Sequence, residues 1–199
     1  MNFKKITLSL VAAICLCCTG LFGEAHAIDL EGTYIAPKVA YSFMAIEDIH
    51  QAGSAAKSNS HEQAWGGALA VGYDFGVKTQ IPMRAELEYS LFETQRYDSS
   101  NEVAGRLERS QAVLANIYYD VKTGTMFTPY AGIGAGVGFV GGDTNFAWNL
   151  RTGIAVDITD SIKADLGYRY VQMGEVEGYR TYKGDLYAHD LMLGVRYTF

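Results

Sequence analysis

Apolar and polar residues alternate with a period of two along most of the chain after residue 28. Because successive side chains of a strand point to opposite faces, each alternating segment predicts a β-strand with one apolar face. We predict eight strands, and each has at least nine residues. They cover residues 35–43, 65–75, 83–91, 112–121, 129–139, 146–157, 162–170 and 190–199.

Alternation alone also fits a soluble sandwich with one solvated face. Three features favour strands that cross a membrane. The strands reach the length of about 9–11 residues that a tilted crossing needs. The apolar faces carry no charge, and aromatic residues gather near the strand ends, as in the girdles at the two membrane interfaces. These aromatic residues are Trp65, Phe75, Tyr119, Phe139, Trp148, Tyr170, Tyr197 and Phe199.

The predicted connections differ in length between the two ends of the strands. Residues 76–82, 122–128 and 158–161 form short turns, and the other end has 44–64, 93–110, 140–145 and 171–186. Outer-membrane barrels place short turns in the periplasm and longer loops outside the cell. We therefore predict an all-β fold: a closed, eight-stranded, antiparallel up-and-down transmembrane barrel with both termini in the periplasm.

Pro37 conflicts with a regular first strand. Proline cannot donate to a strand ladder, and a closed barrel has no free edge to receive it. The sequence predicts either a bulge at Pro37 or regular pairing that begins just after it.

Residues 1–27 have the pattern of a secretory signal peptide. Lys4 and Lys5 precede an apolar stretch, and Ala25 and Ala27 form a small-x-small cleavage site. The mature barrel domain is then predicted over 28–199. A short transmembrane helix and a lipoprotein anchor are the alternatives for this segment, the latter because it holds all three cysteines.

Composition limits what the predicted mature chain does. It contains no cysteine, so neither disulfide nor thiol chemistry is expected. Removing Lys4, Lys5 and Glu24 from 16 basic and 22 acidic residues leaves 14 and 21, a net charge near −7. Nucleic acid is therefore not an expected partner. No apolar run after residue 28 is long enough for a membrane-spanning helix.

The chain resembles the family of small outer-membrane β-barrels that includes opacity-type surface antigens and OmpA-like transmembrane barrels. The matching stretches are the signal peptide, Tyr-Ile-Ala-Pro-Lys-Val-Ala-Tyr-Ser-Phe (34–43), Thr-Pro-Tyr-Ala-Gly-Ile-Gly-Ala-Gly-Val-Gly (128–138) and Val-Arg-Tyr-Thr-Phe (195–199). The resemblance implies an eight-stranded barrel in the outer membrane of a Gram-negative cell, surrounded by lipid and lipopolysaccharide. It leaves the function open, because relatives differ in theirs.

Charged residues of both signs fall on the predicted lumen faces. Buried charges must be paired or solvated, and an eight-stranded barrel is just wide enough to be filled by side chains. We therefore predict an ion-pair network that plugs the lumen; the alternative is a narrow, low-conductance porin-like channel. The predicted network comprises Lys38, Arg84, Glu86, Glu88, Asp120, Arg151, Lys163, Asp165, Arg169 and Asp190.

The fifth predicted strand has glycines at every second position from Gly132 to Gly138. The run lacks the lysine and the following helix of a phosphate-binding loop. We expect the glycines to make room for larger neighbours, namely Tyr118, Asn116 and Arg151.

The last strand has apolar residues at every second position back from Phe199, including Tyr197 and Val195. The family resemblance implies that this row is the signal that the barrel assembly machinery recognises. The alternative is that it is only the eighth lipid-facing strand.

The sequence offers few residues that could act in enzyme catalysis. His189 and Asp190 are adjacent on a predicted strand and should point to opposite faces, and no His-x-Ser motif occurs. His50 and His61, near acidic residues, form at most a weak metal site. No catalytic residue, metal or cofactor is predicted, and a lipid A-modifying enzyme or a protease stays a minor alternative.

The predicted outer loops are polar, and such surface segments are where a barrel meets partners. The leading hypothesis is therefore a non-enzymatic outer-membrane protein, structural or surface-interacting, with a host or cell-surface ligand at residues 44–64, 93–110 and 171–186.

Overall fold

The computed structural model describes residues 30–51, 60–92, 95–96, 106–107, 110–140, 143–178 and 182–199, with side chains within 30–44, 63–92, 110–140, 144–174 and 187–199. The predicted signal peptide lies outside these residues. The elements are β1 (Thr33–Gln51), β2 (Ser60–Asp74), α1 (Phe75–Thr79), β3 (Met83–Phe92), β4 (Gln95–Arg96), β5 (Arg106–Leu107), β6 (Gln111–Asp120), β7 (Phe127–Val140), β8 (Asp143–Asp157), β9 (Ile162–Gly178) and β10 (Tyr182–Thr198).

Eight of these strands close into an antiparallel barrel in the order β1-β2-β3-β6-β7-β8-β9-β10, with β10 paired back to β1. Each strand lies beside its neighbour in the sequence of barrel strands, so the topology is up-and-down. The two short strands β4 and β5 pair with each other as a separate sheet. The predicted closed eight-stranded barrel is confirmed.

The predicted faces are also confirmed. Along β3, side chains alternate between the outer surface and the interior over the whole of Met83–Phe92. The outward positions are large and apolar, for example Leu87 and Leu91, both 42% exposed. The interior positions on the same strand, Glu86 and Glu88, are buried. Polar residues face inward because the outer surface has to match hydrocarbon.

The connections at one end of the barrel are short, as predicted, and both barrel termini lie at that end. The Phe199 N–H donates to the Thr33 carbonyl oxygen at 2.9 Å. The first short connection contains α1, which the sequence did not predict. Asp74 caps this helix by accepting from the Gly76 N–H, and Gln80 ends it in the left-handed region at φ 60°. In the part of the chain that is described, no helix is long and apolar enough to cross a membrane.

The predicted boundaries at the opposite end are wrong, because strands continue into segments assigned to loops. β1 runs on to Gln51 and β2 begins at Ser60, within predicted loop 44–64. β9 continues to Gly178 and β10 begins at Tyr182, within 171–186. β8 starts at Asp143, within 140–145, and 93–110 contains β4 and β5. We call this end, distal to the termini, the outer end.

Pro37 interrupts the ladder without shifting it, so both sequence expectations are wrong. Pairing between β1 and β10 starts before the proline, at Tyr34↔Thr198, and the register is the same on both sides of it, from Ile35↔Tyr197 to Lys38↔Gly194. Pro37 itself stays paired with Leu69 of β2. The missing proline N–H therefore interrupts pairing only locally, and both neighbouring ladders keep their register.

Candidate functional site: the barrel interior

The centre of the interior is occupied by Glu88 of β3. Its two carboxylate oxygens accept from both terminal nitrogens of Arg151, at 2.9 and 3.0 Å, which forms a two-point contact. Arg169 Nη1 lies 2.6 Å from Oε1, and Lys38 Nζ lies 2.7 Å from Oε2. Glu88 side-chain exposure is 0%. Three cations on β1, β8 and β9 thus converge on one carboxylate across the lumen.

Glu86 extends this cluster toward the terminal end of the barrel. Lys38 Nζ lies 2.5 Å from its carboxylate, and Arg151 Nη1 lies at 3.5 Å. The hydroxyl groups of Tyr34 and Tyr118 each donate to Glu86 at 3.1 Å. Lys38 and Arg151 therefore each contact both Glu86 and Glu88.

Arg169 links the centre to β10. Its Nε and Nη2 contact Asp190 Oδ2 at 2.7 and 2.6 Å, while Nη1 also donates to Ser90 Oγ at 3.2 Å. The Asp190 side chain is 0% exposed. In the described register, Ser42, Asp190, Arg169 and Arg151 face one another across successive strands.

A second group of pairs lies nearer the terminal end. Arg84 Nε lies 3.0 Å from Asp120 Oδ1, and its guanidinium carbon lies 4.2 Å from the centre of the Tyr118 ring and 4.6 Å from that of Tyr130, two rings in edge-to-face contact. Asp165 accepts from the Tyr130 hydroxyl at 2.5 Å and from Arg196 at 3.1 Å. Tyrosine rings thus pack among the paired charges at this level.

One predicted member of the network lies apart from it. Lys163 pairs with Asp157 at 2.8 Å, and their side chains are 25% and 39% exposed. This pair sits at the rim on the terminal side. The other nine predicted residues join the interior contacts, together with Arg196, and five cations face five carboxylates there. These ten described side chains are formally neutral as a group.

The glycines of β7 make room for large residues of the adjacent strands. A β-carbon on Gly132 would overlap the Tyr118 ring, and one on Gly134 would overlap the amide oxygen of Asn116. The expected spacing role is confirmed for these two neighbours. Arg151, the third neighbour expected, lies directly opposite Gly132 in the β7–β8 register.

Toward the outer end, beyond the ion pairs, most buried side chains are apolar, which the sequence did not predict. All eight barrel strands contribute to this group, which we call the outer apolar layer, and each of its side chains is at most 3% exposed. Its members are Met44, Ala64, Phe92, Ala112, Val140, Ala147, Val171, Met173 and Ala188. Three further buried apolar residues lie lower, among the ion pairs: Leu114 is the register partner of Glu88, and Ala40 and Met192 pair on the terminal side of Ser42 and Asp190. Met44, Phe92, Val171 and Met173 lie beyond the ends of the predicted strands.

The outer surface near this level carries aromatic residues whose polar tips are paired. Tyr41 and Tyr89 donate to the glutamine side chains of Gln63 and Gln111, at 2.6 and 2.7 Å. Trp148 Nε1 likewise donates to Gln172 at 2.9 Å. Such tips suit a level where one end of the side chain meets hydrocarbon and the other meets water.

The candidate enzyme residues do not converge. His189 lies on the outer surface, with Nδ1 2.5 Å from the Tyr168 hydroxyl, whereas Asp190 points into the lumen. The side chains of His50 and His61 lie outside the described set, so the weak metal site predicted there has no structural account. Among described residues, no group of three or more potential ligands is placed to hold a metal ion.

Phe199 is 49% exposed and Tyr197 is 43% exposed, in one outward row with Val195. The row is therefore lipid-facing, as predicted. Its role in assembly stays a prediction.

A closed eight-stranded barrel with an apolar outer surface, aromatic rows and a charged interior defines an integral outer-membrane protein. Residues 13–199 match the family model of the outer membrane protein beta-barrel domain, and the chain belongs to this family. The protein is accordingly located in the outer membrane of a Gram-negative cell, with the short turns and termini on the periplasmic side.

One relative covers nearly the whole chain. Outer membrane protein PagN of Salmonella typhimurium is 28% identical, over 94% of this chain and 98% of its own length. Two solved structures share the fold. Neisserial surface protein A has a TM-score of 0.62 at 18% identity, covering 84% of this chain and 97% of its own. OprG from Pseudomonas aeruginosa has a TM-score of 0.56 at 14% identity, covering 85% and 96%.

Proposed function

We propose that the chain is a non-enzymatic outer-membrane barrel that meets other molecules at its outer end and passes no solute through its lumen. The observation that carries this proposal is the filled interior. Glu88 holds cations from three strands within 2.9 Å at the centre of the barrel. A lumen occupied in this way leaves the outer end as the part of the molecule available to partners.

The sequence of the outer connections supports an interaction role. Residues 52–59, between β1 and β2, read Ala-Gly-Ser-Ala-Ala-Lys-Ser-Asn and contain no large apolar side chain. Surface segments held on a rigid scaffold are where binding residues concentrate. We propose a host or cell-surface ligand for this end, with lipid and lipopolysaccharide around the barrel wall and the assembly machinery as a partner during biogenesis.

Adherence tests the interaction role. A non-adherent laboratory strain displaying the full chain is compared, on a cultured epithelial monolayer, with a strain displaying a variant whose residues 52–59 are replaced by a glycine–serine linker of equal length. We expect the native chain to raise adherence and the linker variant to raise it less, at equal surface levels. Adherence equal to that of the strain without the chain contradicts an interaction role and favours a structural one.

A low-conductance channel is the second candidate, and one feature favours it. Lys38 and Arg151 each contact both Glu86 and Glu88, so these pairs have alternative partners to exchange. Planar-bilayer recordings of the refolded barrel separate the two candidates. A closed lumen gives no stepwise current, whereas discrete ion-selective steps in the native barrel would establish the channel.

The enzyme alternative receives its own test at His189. Replacement by alanine should leave the lipid A species of the outer membrane unchanged relative to the native chain. A change in those species would reopen a catalytic role.

We also propose that residues 1–27 are removed on export through cleavage after Ala27. Amino-terminal sequencing of the protein recovered from outer membranes should begin at Ile28. Retention of residues before Ile28 would contradict this.

A further inference from the structure

The interior consists of two layers of opposite chemistry. Toward the periplasmic end, the side chains are charged or aromatic and joined by the pairs described above. Toward the outer end, the outer apolar layer closes the ring with side chains from every barrel strand. The two layers touch directly, since the Arg169 guanidinium lies 5.5 Å from the centre of the Phe92 ring.

The solvent exposure of the paired charged side chains decreases along the lumen from the periplasmic end toward the centre. At the rim, the Asp157 side chain is 39% exposed. Further in, Asp165 and Asp120 are 14% and 11% exposed. At the centre, Glu86 and Glu88 are 0% exposed. Solvent therefore approaches the ion pairs from the periplasmic end, and the outer apolar layer adjoins the end of this gradient.

Polar atoms without partners lie on the inner side of the outer apolar layer. Ser42 Oγ, Asp190 Oδ1 and Arg151 Nε are buried and make no hydrogen bond within the described part of the chain. Ser42 and Asp190 are direct partners in the β1–β10 register, which brings their β-carbons to within about 5 Å of each other. Buried polar groups of this kind are usually satisfied by internal water. A bridging water molecule would supply the missing partners here.

Water and ions meet different obstacles in the two layers. The ion-pair layer offers many donors and acceptors, so it supports hydration and tolerates exchange of partners. The outer apolar layer offers neither, and transfer of an ion into such surroundings is strongly unfavourable. Hydrophobic constrictions stop conduction in pores for this reason, through loss of water.

We propose that the outer apolar layer is the permeability barrier of the lumen, and that the ion-pair layer beneath it binds water admitted from the periplasm. The inference rests on the proposed closed lumen and says which layer closes it. The ion pairs then set the shape and stability of the barrel, whereas Met44, Met173 and their neighbours stop ion passage.

Conductance of refolded variants tests the assignment. The double variant Met44→Ser/Met173→Ser makes the outer apolar layer smaller and wettable, and we expect ion flux about tenfold or more above that of the native barrel. Met44→Leu/Met173→Leu keeps the apolar volume and should stay closed. Glu88→Gln alters only the ion-pair layer and should also stay closed. Unboiled samples on a denaturing gel verify that each variant is folded.

The outcomes separate this inference from the proposed function. Current through the native barrel would contradict the closed lumen itself. A closed native barrel with current through Glu88→Gln, and none through the double serine variant, would overturn only the assignment of the barrier to the outer apolar layer.

Water-edited solid-state NMR of the native barrel in lipid bilayers gives a second test that needs no variant. Magnetisation should pass rapidly from water to Ser42 and Asp190, and slowly to Met44 and Met173. Equally rapid transfer to both groups, or none to Ser42 and Asp190, would contradict a lumen hydrated from one end.

Discussion

Replacement of Glu88 by glutamine tests the energetics of the interior most directly. The change keeps the size of the side chain and removes the charge that faces Lys38, Arg151 and Arg169 at 2.6–2.9 Å. The amide NH₂ of the glutamine also points toward one of these cations, where the native chain has a carboxylate oxygen. Removing one partner of a buried ion pair destabilises a protein by about 3–5 kcal/mol.

The cations around Glu88 retain other partners, which sets the expected magnitude. Lys38 and Arg151 keep Glu86, and Arg169 keeps Asp190. We therefore expect a loss near the lower end of the range, about 3 kcal/mol in the free energy of unfolding. The matched control is Asp157→Asn, which removes the partner of Lys163 at the partly exposed rim. There we expect a loss of at most about 1 kcal/mol, as for surface pairs.

Reversible unfolding by denaturant in lipid vesicles measures both changes. The chain has two tryptophans, Trp65 and Trp148, and both lie on strands of the barrel wall, so their fluorescence reports release from the membrane. A Glu88→Gln barrel within about 1 kcal/mol of the native barrel, or no more affected than the Asp157→Asn control, would refute the reasoning that this carboxylate holds the interior charges together.

Three further variants probe other parts of the fold. Gly134→Ala should lower the free energy of unfolding by about 1–3 kcal/mol, because the added β-carbon meets a buried asparagine. Gly67→Ala is the control and should be tolerated, because the nearest atom to its added β-carbon lies at 3.7 Å. The same unfolding assay compares the two variants. Tyr118→Phe removes a hydroxyl that bonds to both an arginine and a glutamate, and a loss of about 1–3 kcal/mol is expected there; an unchanged midpoint would argue against a role for that hydroxyl. Deletion of Phe199 should reduce the folded, heat-modifiable protein in outer membranes, whereas Thr198→Ala, a change on the opposite strand face, should not; equal amounts of both would exclude Phe199 as an assembly signal.

Within the membrane, the strands are well predicted from the sequence because one simple rule relates side-chain polarity to the face of the strand. Outward residues such as Leu87 meet hydrocarbon, and inward residues such as Glu86 and Glu88 meet other charges, so the alternation is strong. The inward and outward faces of all eight strands followed from this contrast. The partners of each charge did not follow from it, because Glu88 and Arg151 are brought together by barrel closure across 63 residues of sequence. Pairing across a lumen depends on strand stagger, which alternation does not encode.

The missed outer segments have a physical explanation in the same rule. Beyond the hydrocarbon, the outside of a strand meets water or lipid headgroups, and the inside meets the outer apolar layer. The alternation therefore continues with its sign reversed: on β9, Gln172 points outward and Val171 and Met173 point inward. A prediction that requires an apolar outward face therefore stops the strand at this reversal, although β9 continues to Gly178.

The same reversal occurs on several strands, and this makes it informative about the membrane. Outward glutamines are paired with aromatic tips on β1–β2, β3–β6 and β8–β9, each next to an inward apolar residue, as in Gln63 beside Ala64 and Gln111 beside Ala112. If the reversal marks the outer hydrocarbon boundary, the outer apolar layer begins where the surrounding lipid tails end. The lumen is then apolar at the level where the outside becomes polar, and charged at the level where the outside is apolar. Each of these two sections of the barrel wall thus separates unlike surroundings, and the alternation of polar and apolar residues persists across the boundary between them.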